Sequence, residues 1–208
     1  MTHLLTITSS PKAEGSVSND LVKRFTDAWA ATESITQLVS RDIGQTPPPH
    51  LSEATIGAFY TPAENHDDEQ RSLVRLSDEL VHELEVADVI VIGSPMHNFG
   101  ISSALKTWLD HVARVGRTFQ YTANGPEGML KGKKVFVITA RGGKYVSPSP
   151  AHDMDHQEPY LKTVLGFIGL EDVTFIHAEG VAGGEEGIAI AHQAIEESIA
   201  RDLTSRAA

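Results

Sequence analysis

A doubly wound α/β fold, with a parallel five-stranded sheet and helices on both faces, is the class this sequence predicts, on three observations. After Asp88 come five residues, Val89 to Gly93, whose side chains are all apolar or absent; such a run fits a central strand covered on both faces. Short runs rich in Val, Ile and Thr alternate along the chain with stripes of helical period, the pattern of strand–helix–strand units. At 208 residues the chain is long enough for one well-buried domain and short for two, so one domain is expected over 1–208.

In order, His3–Thr8 (HLLTIT) reads as the first strand and SSPKAEGSVSN as a polar loop. Ser18 or Asn19 caps a helix in which Leu21, Phe25 and Trp29 recur at four-residue spacing. Residues 34–40 are the second strand. Arg41 to Asp68 contains QTPPPHL and little periodicity, which predicts a long excursion with a helical turn near Ala54–Phe59. Leu73, Leu76, Leu80 and Leu84 mark a helix over Asp68–Val86, and the central strand follows. It stops at Ser94-Pro95, because proline has no N–H for a ladder and holds its predecessor extended. Ser102 or Ser103 caps a helix carrying Leu105, Trp108, Leu109 and Val112. Residues 119–132 form a turn-rich connection, Lys134–Ala140 the fourth strand, Tyr160–Ile168 a helix, Val173–His177 the fifth strand and Glu185–Leu203 the last helix.

Composition narrows the function. Lys and Arg number 17 against 28 Asp and Glu, a net charge of −11, which opposes non-specific adhesion to nucleic acid or anionic membranes. There is no cysteine, so disulfides, Fe–S clusters, thiolate zinc sites and thiol nucleophiles are excluded, and any redox work falls to a cofactor. No apolar run reaches the roughly 18 residues of a membrane span and the N-terminus carries no basic leader, so a cytoplasmic protein is expected.

With strand order 2-1-3-4-5, the loops after strands one, three and four converge at the carboxyl edge, where ligands bind in such sheets. The first loop, GSVSN, offers hydroxyls and N–H groups at a helix start, suited to a phosphate; the same serines can serve only as caps. The second, MHNFG, offers the amide of Asn98 and two side chains, Met96 and Phe99, able to lie against a flat ring, or it is ordinary turn chemistry. The third, ARGG, lets the backbone approach a ligand closely, or is a plain Gly-Gly turn. Two other stretches invite bland readings: His152-Asp153-Met154-Asp155-His156 as a solvated loop with no metal, and GVAGGEEG as the turn before the last helix.

The motifs S-S…G-S-x-S-N at 9–19, P-M-x-N-F at 95–99, T-F-x-Y-T-x-N-G-P-E-G at 118–128, R-G-G at 141–143 and Y-L-x-T-x-L-G-F-I-G at 160–169 carry a resemblance that covers nearly the whole chain. The sequence resembles the flavodoxin-like FMN-dependent NADH-azoreductases, also called FMN-dependent NADH:quinone oxidoreductases. That resemblance implies one FMN per subunit, with Ser10, Ser16, Val17 and Ser18 for its phosphate, Met96, His97, Asn98 and Phe99 for its ring, and Ala140, Arg141, Gly142 and Gly143 beyond. It implies NADH as donor, hydride transfer through the flavin N5 to quinones or azo compounds in a ping-pong cycle, and no catalytic side chain. It also implies a homodimer with active sites at the interface, whose substrate pocket is walled by Phe99, Tyr121 and Phe167. Two positions depart from the family's usual residues: His97 stands where tyrosine is common and Ala140 where serine is common. The competing reading is a flavodoxin-like electron carrier that binds FMN but turns over no small molecule; a third is a binding protein that has lost the cofactor.

Overall fold

Parallel strands β1 (Thr2–Thr8), β2 (Ile35–Asp42), β3 (Val89–Pro95), β6 (Lys134–Arg141) and β7 (Asp172–Glu179) form one sheet in the order β2-β1-β3-β6-β7, in the computed structural model, which describes residues 2–32 and 35–206. This is the 2-1-3-4-5 order expected from the sequence; Ser34, at the expected start of the second strand, lies outside the described residues. β3 is central and buried from Val89 through Ser94, as its unbroken apolar run requires.

Helices α1 (Val17–Thr32) and α6 (Glu186–Arg206) cover one face, over a core of Leu4, Phe25, Trp29, Val91 and Phe136. Phe25 packs on Trp29 and Phe136, with ring centres 5.6 and 4.7 Å apart. The other face is covered by α3 (Asp68–Val86), α4 (Ser103–Val112) and α5 (Gln157–Phe167), over Ile7, Ile90, Ile92, Trp108 and Leu165. The excursion after β2 contains α2 (Glu53–Tyr60), close to the expected turn.

Five expectations change. Helix α1 begins before Ser18 and Asn19: Ser16 takes the cap position, its carbonyl accepting from Asp20 N (2.9 Å) and its Oγ, more weakly, from Asn19 N (3.4 Å). The inward stripe of α3 is centred on Val74, Ser77, Leu80 and Leu84, while Leu73 and Leu76 are half-buried, because buried Ser77 donates to His111 O and accepts from Arg114 Nη1. Residues 119–132 hold an antiparallel hairpin, β4 (Phe119–Thr122) with β5 (Gly125–Gly128). Glycine and proline hide β5 from strand propensity, yet Gly128 is held against Gly169 so closely that a Cβ on it would meet Gly169 N at 2.1 Å. Helix α5 begins three residues before Tyr160, and β7 extends on both sides of Val173–His177.

Candidate functional site

The parallel register sets the loops of the carboxyl edge side by side. Thr8 pairs with Gly93 and Pro95 with Ala140, so the chain exits after β1, β3 and β6 lie on three adjacent strands, about 10 Å from first to last at ordinary strand spacing. Hydrogen bonds join them: Ser9 donates from N (3.2 Å) and Oγ (2.8 Å) to Gly93 O, and Met96 N donates to Ala140 O (2.8 Å). Gly93 has to be glycine, since a Cβ there would stand 2.8 Å from Val22 Cγ2 and 3.3 Å from Ser18 O. Its absence lets the first turn of α1 settle on the end of β3.

In that first turn Ser16 and Ser18 are buried, their Oγ atoms 3.3 Å apart, and Val17 is half-buried. Ser10 is buried in the loop before, where Lys12 N donates to its Oγ (3.3 Å). The N–H groups of Val17 and Ser18 have no acceptor within the helix, and the helix dipole adds partial positive charge there. Hydroxyls and free N–H groups at the head of a long helix fit a phosphate without any lysine.

The loop after β3 is a tight reversal. His97 N donates to Gly100 O and Gly100 N to His97 O, both at 2.9 Å, and the two residues between, Asn98 and Phe99, have φ of +47° and +69°. That is the geometry of a type I′ turn, for which glycine is the usual second residue. Phenylalanine in the left-handed region costs on the order of 1–2 kcal/mol, and strain of this kind persists where the surroundings hold it. Here His156 N donates to Phe99 O (3.0 Å), and the Phe99 ring meets Tyr145 edge-on at 6.4 Å. His97, Asn98 and Phe99 are all exposed, with Met96 half-buried beneath them.

In the third loop Ala140 is half-buried and Gly142 and Gly143 are exposed, but the Arg141 side chain is fully buried. It contacts Gln157 Oε1 (3.0 Å), Asp155 Oδ2 (3.0 Å) and Glu179 Oε1 (3.4 Å). Gln157 in turn donates from Nε2 to Ser94 O and Oγ, both at 3.0 Å, and Glu179 accepts from Tyr145 N (2.7 Å) and Val146 N (3.0 Å). Arg141 therefore faces inward and can offer a ligand only its main chain. Gln157, Glu179 and Asp155 were not legible as site residues, because nothing local marks a loop or strand-end carboxylate or a helix-start glutamine as the partner of a distant arginine. Below them His177 stands 2.8 Å from Thr139 Oγ1 and 2.9 Å from Glu158 Oε2. Burial pushes its pKa down, the Arg141 charge pushes the same way, and the nearby carboxylates oppose them.

The substrate-pocket trio is not brought together within one chain. Phe167 closes α5, whose first residue Gln157 reaches Ser94 at the carboxyl edge; its far end lies beside Gly169 and the start of β7, at the amino edge. Tyr121 is in the hairpin at that same end, joined to Phe167 through Phe119, with ring centres 5.6 and 4.4 Å apart. Phe99 alone of the three lies on the rim. Size does not mark the site either: a cavity of about 690 Å³ lies at the amino edge, where Lys134 pairs with Asp172 and Asp202. His152–Met154 form one 3-10 turn, and Asp155 beside it turns inward to Arg141.

Fold and rim together describe a flavodoxin-like protein. The family described by that fold matches residues 2–201 of the chain. The chain is 53% identical over 188 residues to an FMN-dependent NADH:quinone oxidoreductase of Herminiimonas arsenicoxydans, covering 90% of this chain and 92% of the relative. It is 45% identical over 208 residues to FMN-dependent NADH:quinone oxidoreductase 3 of Pseudomonas aeruginosa, covering 98% and 96%. Among solved structures, an FMN-dependent NADH-azoreductase from Bacillus anthracis in complex with FMN superposes with a TM-score of 0.86 at 28% identity, over 97% of this chain and 99% of that one. The chain belongs to the FMN-dependent NADH:quinone oxidoreductase family of flavodoxin-like proteins. Among the described residues no helix is long and apolar enough to cross a membrane.

Proposed function

We propose that the protein is an FMN-dependent oxidoreductase that takes electrons from NADH and delivers them in pairs to quinones or azo compounds. The observation that carries this reading is the strained reversal at Asn98-Phe99, held on the carboxyl edge between the serine-lined head of α1 and the glycine loop after β6. Relatives and a structural neighbour whose names specify FMN and NADH support it.

Ser10, Ser16, Ser18 and the N–H groups of Val17 and Ser18 hold the phosphate; they are neutral donors, so the helix dipole supplies the favourable field. The 96–99 turn holds one edge of the ring, with Asn98 as its polar partner, and the main chain of residues 140–143 holds the rest. A bound FMN would supply the two-electron redox chemistry that links NADH to the acceptor. The chain contributes position and electrostatics. Phe99 walls one side of the ring. Tyr121 and Phe167, at the opposite end of their own subunit, serve the site of a second copy in a homodimer. No side chain acts as a catalytic acid or base, and the two substrates visit one exposed face in turn.

The visible spectrum of the purified protein, before and after anaerobic NADH, tests the assignment. Flavin absorbance that bleaches promptly and returns on adding a quinone is the expected result. A flavin that NADH leaves oxidised would make the protein an electron carrier, and a colourless protein that takes up no FMN would remove the cofactor altogether. Initial-rate lines that intersect would exclude the shared face.

A further inference from the structure

We propose that the cavity beside the 96–99 turn is an oxyanion subsite, in which His50 and His97 receive an acidic group carried by one of the two substrates; the proposal rests on the oxidoreductase reading above. The cavity holds about 420 Å³ and lies between the proline-rich segment after β2 and the first turn of α4. Its occupant is argued from its walls. In a chain of net charge −11, none of the residues lining this cavity is acidic, and its two titratable groups are both histidines. Each imidazole presents an N–H donor, and Ser103 adds a hydroxyl. The N–H groups of Ser103 and Ala104, at the head of α4, have no acceptor within the helix, while the Ser102 side chain is already taken by Leu105 N (3.2 Å).

Both histidines hang from fixed backbone. His97 is locked in both directions to Gly100, and the segment Pro47–Pro49 that leads to His50 is tied to α4 by His111 Nε2 donating to Pro49 O (2.9 Å). Buried Ser77 receives the next link, donating to His111 O. Donors held in place in this way lose little freedom when an anion arrives. Placement relates the cavity to the chemistry: His97 is the neighbour of Asn98 and Phe99, so a flat molecule lying over the turn can extend an acidic substituent into the cavity. Oxyanions from two sources suit it, the sulfonate or carboxylate of an aromatic acceptor and the diphosphate of NADH.

His50 lies outside the turn and outside the phosphate loop, and its substitution separates these sources. In His50→Leu, kcat/KM is measured for naphthoquinone, for its sulfonate and for NADH, with flavin content read from visible absorbance. The proposal expects naphthoquinone and flavin content to stay at the wild-type level, while either the sulfonate or NADH loses about two- to fivefold, the worth of one solvent-accessible hydrogen bond to an anionic oxygen. The affected substrate identifies the source, and His50→Lys restores it. Equal values for all three substrates would overturn the proposal, as would a uniform fall. Loss of flavin would overturn it too, by assigning the cavity to the cofactor. Wild-type protein that turns over no naphthoquinone would remove the oxidoreductase reading itself, and this subsite with it.

Discussion

Replacing Arg141 by methionine tests whether a buried charge holds the rim together. The guanidinium is fully buried and meets Gln157, Asp155 and Glu179 within 3.4 Å. Removing one partner from such a cluster costs about 3–5 kcal/mol, mostly because the remaining charges are stranded. Here each carboxylate keeps other donors: Glu179 has the N–H groups of Tyr145 and Val146, and Asp155 has those of Gln157 (2.9 Å) and Glu158 (3.1 Å). That places the expected loss at the lower end, about 3 kcal/mol. An unfolding entropy of about 2.1 cal/mol/K per residue, over this chain, gives roughly 0.4 kcal/mol/K and a fall in melting temperature of about 7 °C. Thermal melts followed by circular dichroism, with and without added FMN, measure both stability and the rim. Because Gln157 also loses its anchor beside Ser94, the stabilisation contributed by FMN should shrink in the variant. Arg141→Lys, which supplies the charge without the planar fork, should fall between the two. A methionine variant melting within roughly 2 °C of wild type, with FMN stabilisation intact, would refute the account of Arg141 as the hub.

Other perturbations read other parts of the site. Phe99→Gly relieves the left-handed strain while loosening the unfolded chain, so its stability should stay within about 1 kcal/mol of wild type, whereas Phe99→Val should lose about 1–2 kcal/mol; in both, NADH reduces the flavin more slowly, as stopped-flow absorbance would record. His177 has its pKa pushed down in the folded state, so the unfolded chain binds its proton first as pH falls. Its contribution is therefore present above about pH 6.5 and lost as pH drops toward the lower folded value, at no more than about 1.4 kcal/mol per pH unit, and urea melts of His177→Gln should show a flatter acid limb. Gly44→Ala would put a Cβ 1.9 Å from Ser10 O, so the first loop must move. Titration with FMN should show weaker binding, and melts a loss of about 1–3 kcal/mol.

Local pattern was enough for the five strands of the main sheet and for the helices that alternate with them along the chain. A run such as Val89–Gly93 states its own burial, Asp68–Val86 carries a stripe whose period is that of a helix, and Pro95 terminates its strand wherever it sits. The three rim loops were legible for the same reason, since turn-forming residues after a parallel strand lie at the carboxyl edge once the strand order is 2-1-3-4-5. The hairpin at 119–128 was not: Gly125, Pro126 and Gly128 argue against a strand, and β5 exists because its partner β4 and the backbone of Gly169 accept it.

By itself, then, the sequence determined a doubly wound sheet, the loops that lie along its carboxyl edge and the residue types available there, because hydrophobic period and turn chemistry act over a few neighbouring positions. Only the tertiary structure decided which way the side chains at that edge face. Arg141 turns inward because Asp155, Gln157 and Glu179, up to 38 positions away, meet it there. Asn98 and Phe99 take a left-handed turn because Gly100 and His156 hold it closed. Phe167 sits at the far end of its own chain because α5 runs back from the carboxyl edge, and Tyr121 joins it there through Phe119. Each of these depends on contacts between segments distant in sequence, which no local pattern encodes.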